Sequence, residues 1–194
     1  MSESELISAS IKKDKAAQHQ LFEQNYGPLA AIALRYAKNK SQADDLLNKG
    51  FAHLFANLTG YNAQNSKTLQ EWFKHEFIVF CLHYIKDIRS EYYVASTVRV
   101  TEPRDNSYDL FFDSEIIDYS HVDFPTLVKS LQQLVPAQRL VFNMHVIDGF
   151  SLKDISNELE TSEQTVKSNL EKGRFSLQNN IEKNIKASKH EQSV

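Results

Sequence analysis

Residues Val135 to Gln178 read VPAQRLVFNMHVIDGFSLKDISNELETSEQTVKSNLEKGRFSLQ, and their spacing decides the fold. Leu140, Val141, Met144 and Ile147 recur at helical intervals after Pro136, which predicts a first helix to about Ile147. Asp148-Gly149 ends it, because glycine accepts the left-handed backbone found just past a helix C-terminus. Ser151 opens a second helix as N-cap, with Asp154 three residues on in a capping-box position. Leu152, Ile155 and Leu159 form its apolar face. Glu160-Thr161-Ser162 is the next joint, and Thr161 or Ser162 caps a third helix striped by Val166, Leu170, Gly173 and Leu177.

Two short helices, a three-residue turn and a polar-faced last helix make a helix-turn-helix, whose last helix lies in the DNA major groove. Ser162, Glu163, Gln164, Thr165, Lys167, Ser168, Lys172 and Arg174 are the candidate DNA-contacting residues. Amide, hydroxyl and ammonium groups hydrogen-bond base edges and phosphates.

The chain of 194 residues is long enough for one large domain or two small ones. Only 5 Gly and 4 Pro, with no regular turn spacing, predict an all-α class. The single cysteine, Cys81, excludes an internal disulfide and, with no leader pattern, points to a reducing cytoplasm. The longest apolar run, Phe77 to Leu82, is far too short to cross a bilayer. The net charge of -3 is unevenly spread: residues 96–125 carry 2 basic against 7 acidic side chains, while both flanking parts are near neutral. Any nucleic-acid face must therefore be local.

From the N-terminus, residues 1–10 carry no strong signal and are expected to fray. A helix from about Ile11 buries Ala17, Leu21 and Phe22, and Gly27-Pro28 interrupts or kinks it. Ser41 is the candidate N-cap of a helix to about Leu58, with Asp44 and Asp45 in its first turn and Ala43, Leu47, Phe51, Leu54, Phe55 and Leu58 inward. A polar loop, residues 59–67, precedes a long aromatic helix opened by Thr68. Four parts result: a helical domain over 1–95, an acidic linker over 96–125, a helix-turn-helix domain over 126–185 and a disordered tail over 186–194.

Enzyme signals are nearly absent. His75-Glu76 lacks the second histidine of a zinc protease motif, and five unclustered glycines leave no phosphate loop. No metal, cofactor or small-molecule substrate is expected.

The C-terminal third resembles the DNA-binding region of sigma-70 family factors, especially the extracytoplasmic-function group. The resemblance is carried by Leu134, Pro136, Arg139, Gly149, Ser151, Ile155, Leu159, Ser162, Thr165 to Ser168, Leu170 and Arg174. A LuxR-type regulator shares that layout. Residues 15–90 also resemble the family's polymerase-binding domain, through Phe22, Tyr26, Arg35-Tyr36, Ala43 to Leu47, Phe51, Leu54-Phe55, Trp72-Phe73 and Ile88-Arg89.

This implies a non-enzymatic protein that binds core RNA polymerase and promoter DNA, with an anti-sigma factor as a further partner. Asp44, Asp45, Leu46, Asn48 and Lys49 would touch polymerase. Tyr61, Asn62, Lys67, Lys74 and Arg89 would meet the -10 element. The chain departs from the family pattern at Asn48-Lys49-Gly50, Leu82 and Lys86, at Glu160 in the turn and at Asn169 in the last helix. Two other readings stay open: a sigma-like decoy that binds polymerase or an anti-sigma factor without initiating, and a plain helix-turn-helix regulator.

Overall fold

A computed structural model describes residues 2–62, 68–88 and 122–191, and all regular structure among them is helical. The all-α expectation holds. Expectations for Lys67, Arg89 and the linker as far as residue 121 lie outside the described residues. The chain divides into two compact units, Met1–Ile88 and Arg89–Val194.

The first unit consists of α1 (Glu3–Ile11), α2 (Lys15–Tyr36), α3 (Lys40–Asn57), a 3-10 turn (Leu58–Gly60) and α4 (Leu69–Ile88). Residues expected to fray form α1 instead. The Ser2 hydroxyl accepts from the Glu5 amide at 3.3 Å, and the Glu5 carboxylate accepts from the Ser2 amide at 2.7 Å. This reciprocal box satisfies two otherwise orphan donors, and burial of Leu6 supplies the packing.

Helix α2 is capped by Asp14 and runs unbroken through Gly27-Pro28. Proline clashes with the Cβ of a helical residue before it, and glycine has none. Buried Leu21, Asn25, Leu29, Ile32 and Tyr36 hold both halves against the core. Helix α3 is capped by Asn39, not Ser41: the Asn39 amide oxygen accepts from the Gln42 amide at 2.9 Å. Asp44 and Asp45 thus fall in the second turn and pair one turn away, Asp44 with Lys40 at 3.4 Å and Asp45 with Lys49 at 3.0 Å.

The core of this unit closes around Leu21, Leu29, Tyr36, Leu46, Leu54, Phe73, Phe77 and Leu82, all fully buried. At Gly50 α3 leaves no room for a side chain against α4. A Cβ there would stand 2.6 Å from one Phe77 ring carbon and closer still to the next. Thr68 does open α4, exchanging two hydrogen bonds with Glu71.

The second unit consists of α5 (Phe124–Gln132), α6 (Pro136–Phe142) continued by a π turn (Asn143–Ile147), α7 (Leu152–Glu158) and α8 (Glu163–Glu191). Arg139 of α6 is 3% exposed and donates to the carbonyls of Gln132 at 3.0 Å and Leu134 at 2.9 Å, tying down the end of α5. The π turn corrects the expected inward face. Its wider winding turns Val146 and Ile147 out to 46% and 45% exposure, while Asn143 and Met144 stay buried.

Helix α8 also corrects the expected tail, because it continues to Glu191. No glycine or proline follows Gly173 to stop it. Its far half is bolted to α5: the Asn184 amide donates to the Ser130 hydroxyl at 2.8 Å and to Gln133 at 3.2 Å, and Asn180 donates to the Ser130 carbonyl at 3.1 Å. Among the described residues, no helix is long and apolar enough to cross a membrane.

Candidate nucleic-acid interface

The joints around α7 follow the expected chemistry. Gly149 takes φ +78° after the π turn. The Ser151 hydroxyl accepts from the Asp154 amide at 3.1 Å and donates to the Asp154 carboxylate at 2.6 Å. His145 reaches from the π turn to the Phe150 carbonyl at 2.8 Å and braces the approach to α7. After α7, Glu160 adopts φ +52°, a left-handed conformation costing a side-chain-bearing residue about 1 kcal/mol. Of the two candidate caps for α8, Ser162 serves: its hydroxyl accepts from the Thr165 amide at 3.1 Å.

Helix α8 turns Val166, Leu170, Gly173 and Leu177 into the unit. Gly173 lies against α6, where a Cβ would meet the Gln138 backbone oxygen at 3.4 Å. Ser162, Glu163, Gln164, Lys167, Lys172 and Arg174 are exposed, while Thr165 and Ser168 are half-buried. Six of the eight residues singled out in the sequence are therefore exposed. Asn169 does not join them as a reader: it is half-buried, and its amide donates to the Thr165 carbonyl at 3.1 Å.

In the first unit the expected polymerase-contact set is only partly accessible. Asp44, Asn48 and Lys49 are exposed and Asp45 is half-buried. Leu46 is fully buried, so it belongs to the core. The inward face of α3 is broad enough to take both Leu46 and Leu47, which adjacent-residue spacing did not reveal.

Lys49 is engaged within the unit. It contacts Asp45 at 3.0 Å and the Tyr84 hydroxyl at 3.4 Å, and its ammonium stands 5.0 Å from the Tyr84 ring centroid. Tyr84 donates its hydroxyl to Asp45. This cluster joins α3 to α4 and was not legible in the sequence, since residues 45 and 84 lie far apart in the chain.

The Tyr84 hydroxyl, and then Lys49, hold the Asp45 carboxyl below its ordinary range. Asp45 in turn raises both Tyr84 and Lys49. The stabilisation from Asp45 is present above the ordinary carboxylate range and is lost as pH falls through its lowered folded value. That from Tyr84 and Lys49 is present at lower pH and is lost as pH rises through their raised values. Tyr84→Phe is expected to flatten the pH dependence of the first unit's melting temperature below about pH 4 and above about pH 10. Thermal melts across both limbs check this, and an unchanged profile in the variant would count against the cluster.

Of the expected -10 set, Asn62 and Lys74 are exposed. Tyr61 is half-buried, with its ring edge-on to Trp72 at 5.8 Å, and loss of water raises its phenol. Beside it opens a groove of about 620 Å3 between the end of α3 and α4. His53, Asn57, Trp72, Glu76, Phe80, His83 and Tyr84 line it. The sequence placed Trp72 and Phe80 at core spacing, yet both keep a half-exposed edge here. Among the described residues, no group of three metal-ligating side chains converges.

Residues 126–176 match the family described as sigma-70, region 4. A solved structure of the sigma factor RpoE in complex with the anti-sigma factor NepR, from Bartonella quintana, is similar over 84% of this chain and 96% of its own, at 20% identity and a TM-score of 0.51. A structure of CnrH in complex with the cytosolic domain of CnrY matches over 90% of this chain and 93% of its own, at 16% identity and a TM-score of 0.44. No curated protein sequence matches the chain. Residues 126–176 are thus similar to sigma-70 region 4, and the chain shares the all-helical fold of the RpoE structure.

Proposed function

We propose that this protein is a transcription initiation factor of the sigma type, which binds core RNA polymerase with its first unit and directs it to promoter DNA. The observation that carries this reading is the region 4 domain, with an exposed polar helix face presented by a capped helix-turn-helix. Its part is non-enzymatic: it supplies promoter specificity and helps strand opening, while polymerase performs the chemistry. Asp44, Asp45, Asn48 and Lys49 are the polymerase-facing candidates of the first unit. Tyr61, Asn62, Lys67, Lys74 and Arg89 are the -10 candidates. An anti-sigma regulator is a further proposed partner, since RpoE was solved bound to one.

Run-off transcription with purified core enzyme on a promoter library tests the proposal. A transcript that depends on the added protein is expected. Polymerase binding without any transcript would favour the decoy reading, which the engaged Lys49 and buried Leu82 support. DNA binding without polymerase binding would favour a plain regulator.

Lys172→Ala is expected to weaken DNA binding about equally for all sequences and to reduce the slope of log affinity against log salt by about 1. A salt titration of binding checks it; an unchanged slope would remove Lys172 from the interface.

A further inference from the structure

The placement of side chains around α8 separates two tasks on the proposed DNA-reading helix; this inference rests on the assignment above. At about 100° per residue, the buried Val166, Leu170, Gly173 and Leu177 fall within an arc of about 60°. Nearly opposite, Gln164, Ser168, Glu171 and Phe175 share another arc of about 60°. That outermost strip holds no cation. The cations stand beside it, Lys167 and Arg174 on one flank and Lys172 on the other, all exposed. A helix lying in the major groove turns its outermost strip to the base edges and its flanks to the phosphate walls.

We infer that Gln164 and Glu171 specify base pairs, Gln164 an adenine and Glu171 a cytosine about three base pairs further along. The carboxamide of Gln164 offers both a donor and an acceptor, matching adenine N7 and its N6 amino group. The carboxylate of Glu171 only accepts, and the cytosine N4 amino group is the major-groove donor with no acceptor on the same base. Seven residues separate the two side chains, about 10.5 Å of helix, which spans about three steps of 3.4 Å along DNA. Lys167, Arg174 and Lys172 flank the carboxylate and offset its repulsion by phosphates. Glu163 lies on a flank in the first turn of α8, where the helix dipole favours an acid, and does not share the reading strip.

The experiment is a binding selection with the full chain assembled on core RNA polymerase and duplexes carrying a randomised upstream window. Wild type is expected to enrich adenine and cytosine about tenfold or more at two positions two to four base pairs apart. Glu171→Gln is expected to change the cytosine preference to adenine at that position alone. Gln164→Glu is expected to change the other position from adenine to cytosine. Tight binding with an unchanged preference in Glu171→Gln would overturn the inference while leaving the DNA-binding assignment intact. Failure of wild type to bind any duplex would overturn both.

Discussion

Replacing Arg139 with methionine is expected to lower the stability of the second unit by about 3 kcal/mol. The guanidinium is 3% exposed and donates to two backbone carbonyls, those of Gln132 and Leu134. Hydrogen bonds from a charged donor contribute about 1.5–3 kcal/mol each, and buried acceptors left without one bear their full desolvation penalty. Methionine fills much of the volume but donates nothing. Arg139→Lys keeps the charge without the planar fork and is expected to recover only part of the loss. Far-UV circular dichroism in a urea titration follows the helices of both units, so loss of the second appears as an earlier step. The only tryptophan, Trp72, lies in the first unit, so its fluorescence transition is expected to stay in place. A methionine variant as stable as wild type would show that α5 ends securely without this side chain.

The second large effect is expected at Gly50. Alanine there would drive its methyl into the Phe77 ring, with one ring carbon at 2.6 Å and another nearer, and Phe77 is fully buried. Overpacking of this kind costs about 1–3 kcal/mol, against a gain of about 1 kcal/mol in helix propensity. A net loss of up to about 2 kcal/mol is expected, at the upper end because the obstacle is a packed ring rather than the end of a flexible chain. Shrinking that ring in Phe77→Leu should itself destabilise, but it makes room for the methyl. The double variant is therefore expected to lose less than the sum of the two single variants. Trp72 fluorescence during denaturation reads all three; strict additivity would show that the ring and the methyl do not meet.

Much of the second unit was legible because its signals are local. Ser151 with Asp154, Gly149, and the stripe of Val166, Leu170 and Leu177 each act within one or two turns. The resemblance to sigma factors drew in part on the same positions, Gly149, Ser151, Val166 and Leu170, and in part on residues 15–90. The sequence misled where long-range packing overrode a local rule. Pro28 announces a break, yet Gly27 before it removes a clash and buried side chains on both sides keep α2 whole. The π turn at Asn143–Ile147 shifts the helical phase by one residue, so the period that placed Ile147 inward fails there. Leu46 entered the expected partner surface through the family resemblance, but the face of α3 turned to the core is wide enough to take it beside Leu47. The Asp45–Lys49–Tyr84 cluster needs α3 and α4 side by side before it exists.

Helix α8 is a single piece from its proposed reading end to the residues bolted onto α5. Gln164 and Asn184 lie twenty residues apart, about 30 Å of unbroken helix. Such a rod couples its seat at Ser130 to its near half, which packs against α6 and α7. A rotation of about 5° at the Asn184 end moves the far tip by about 2–3 Å, close to the 3.4 Å rise of one base pair. If α8 reads DNA as proposed, its aim would also depend on three uncharged side chains at the other end of the helix's packing, Ser130, Asn180 and Asn184.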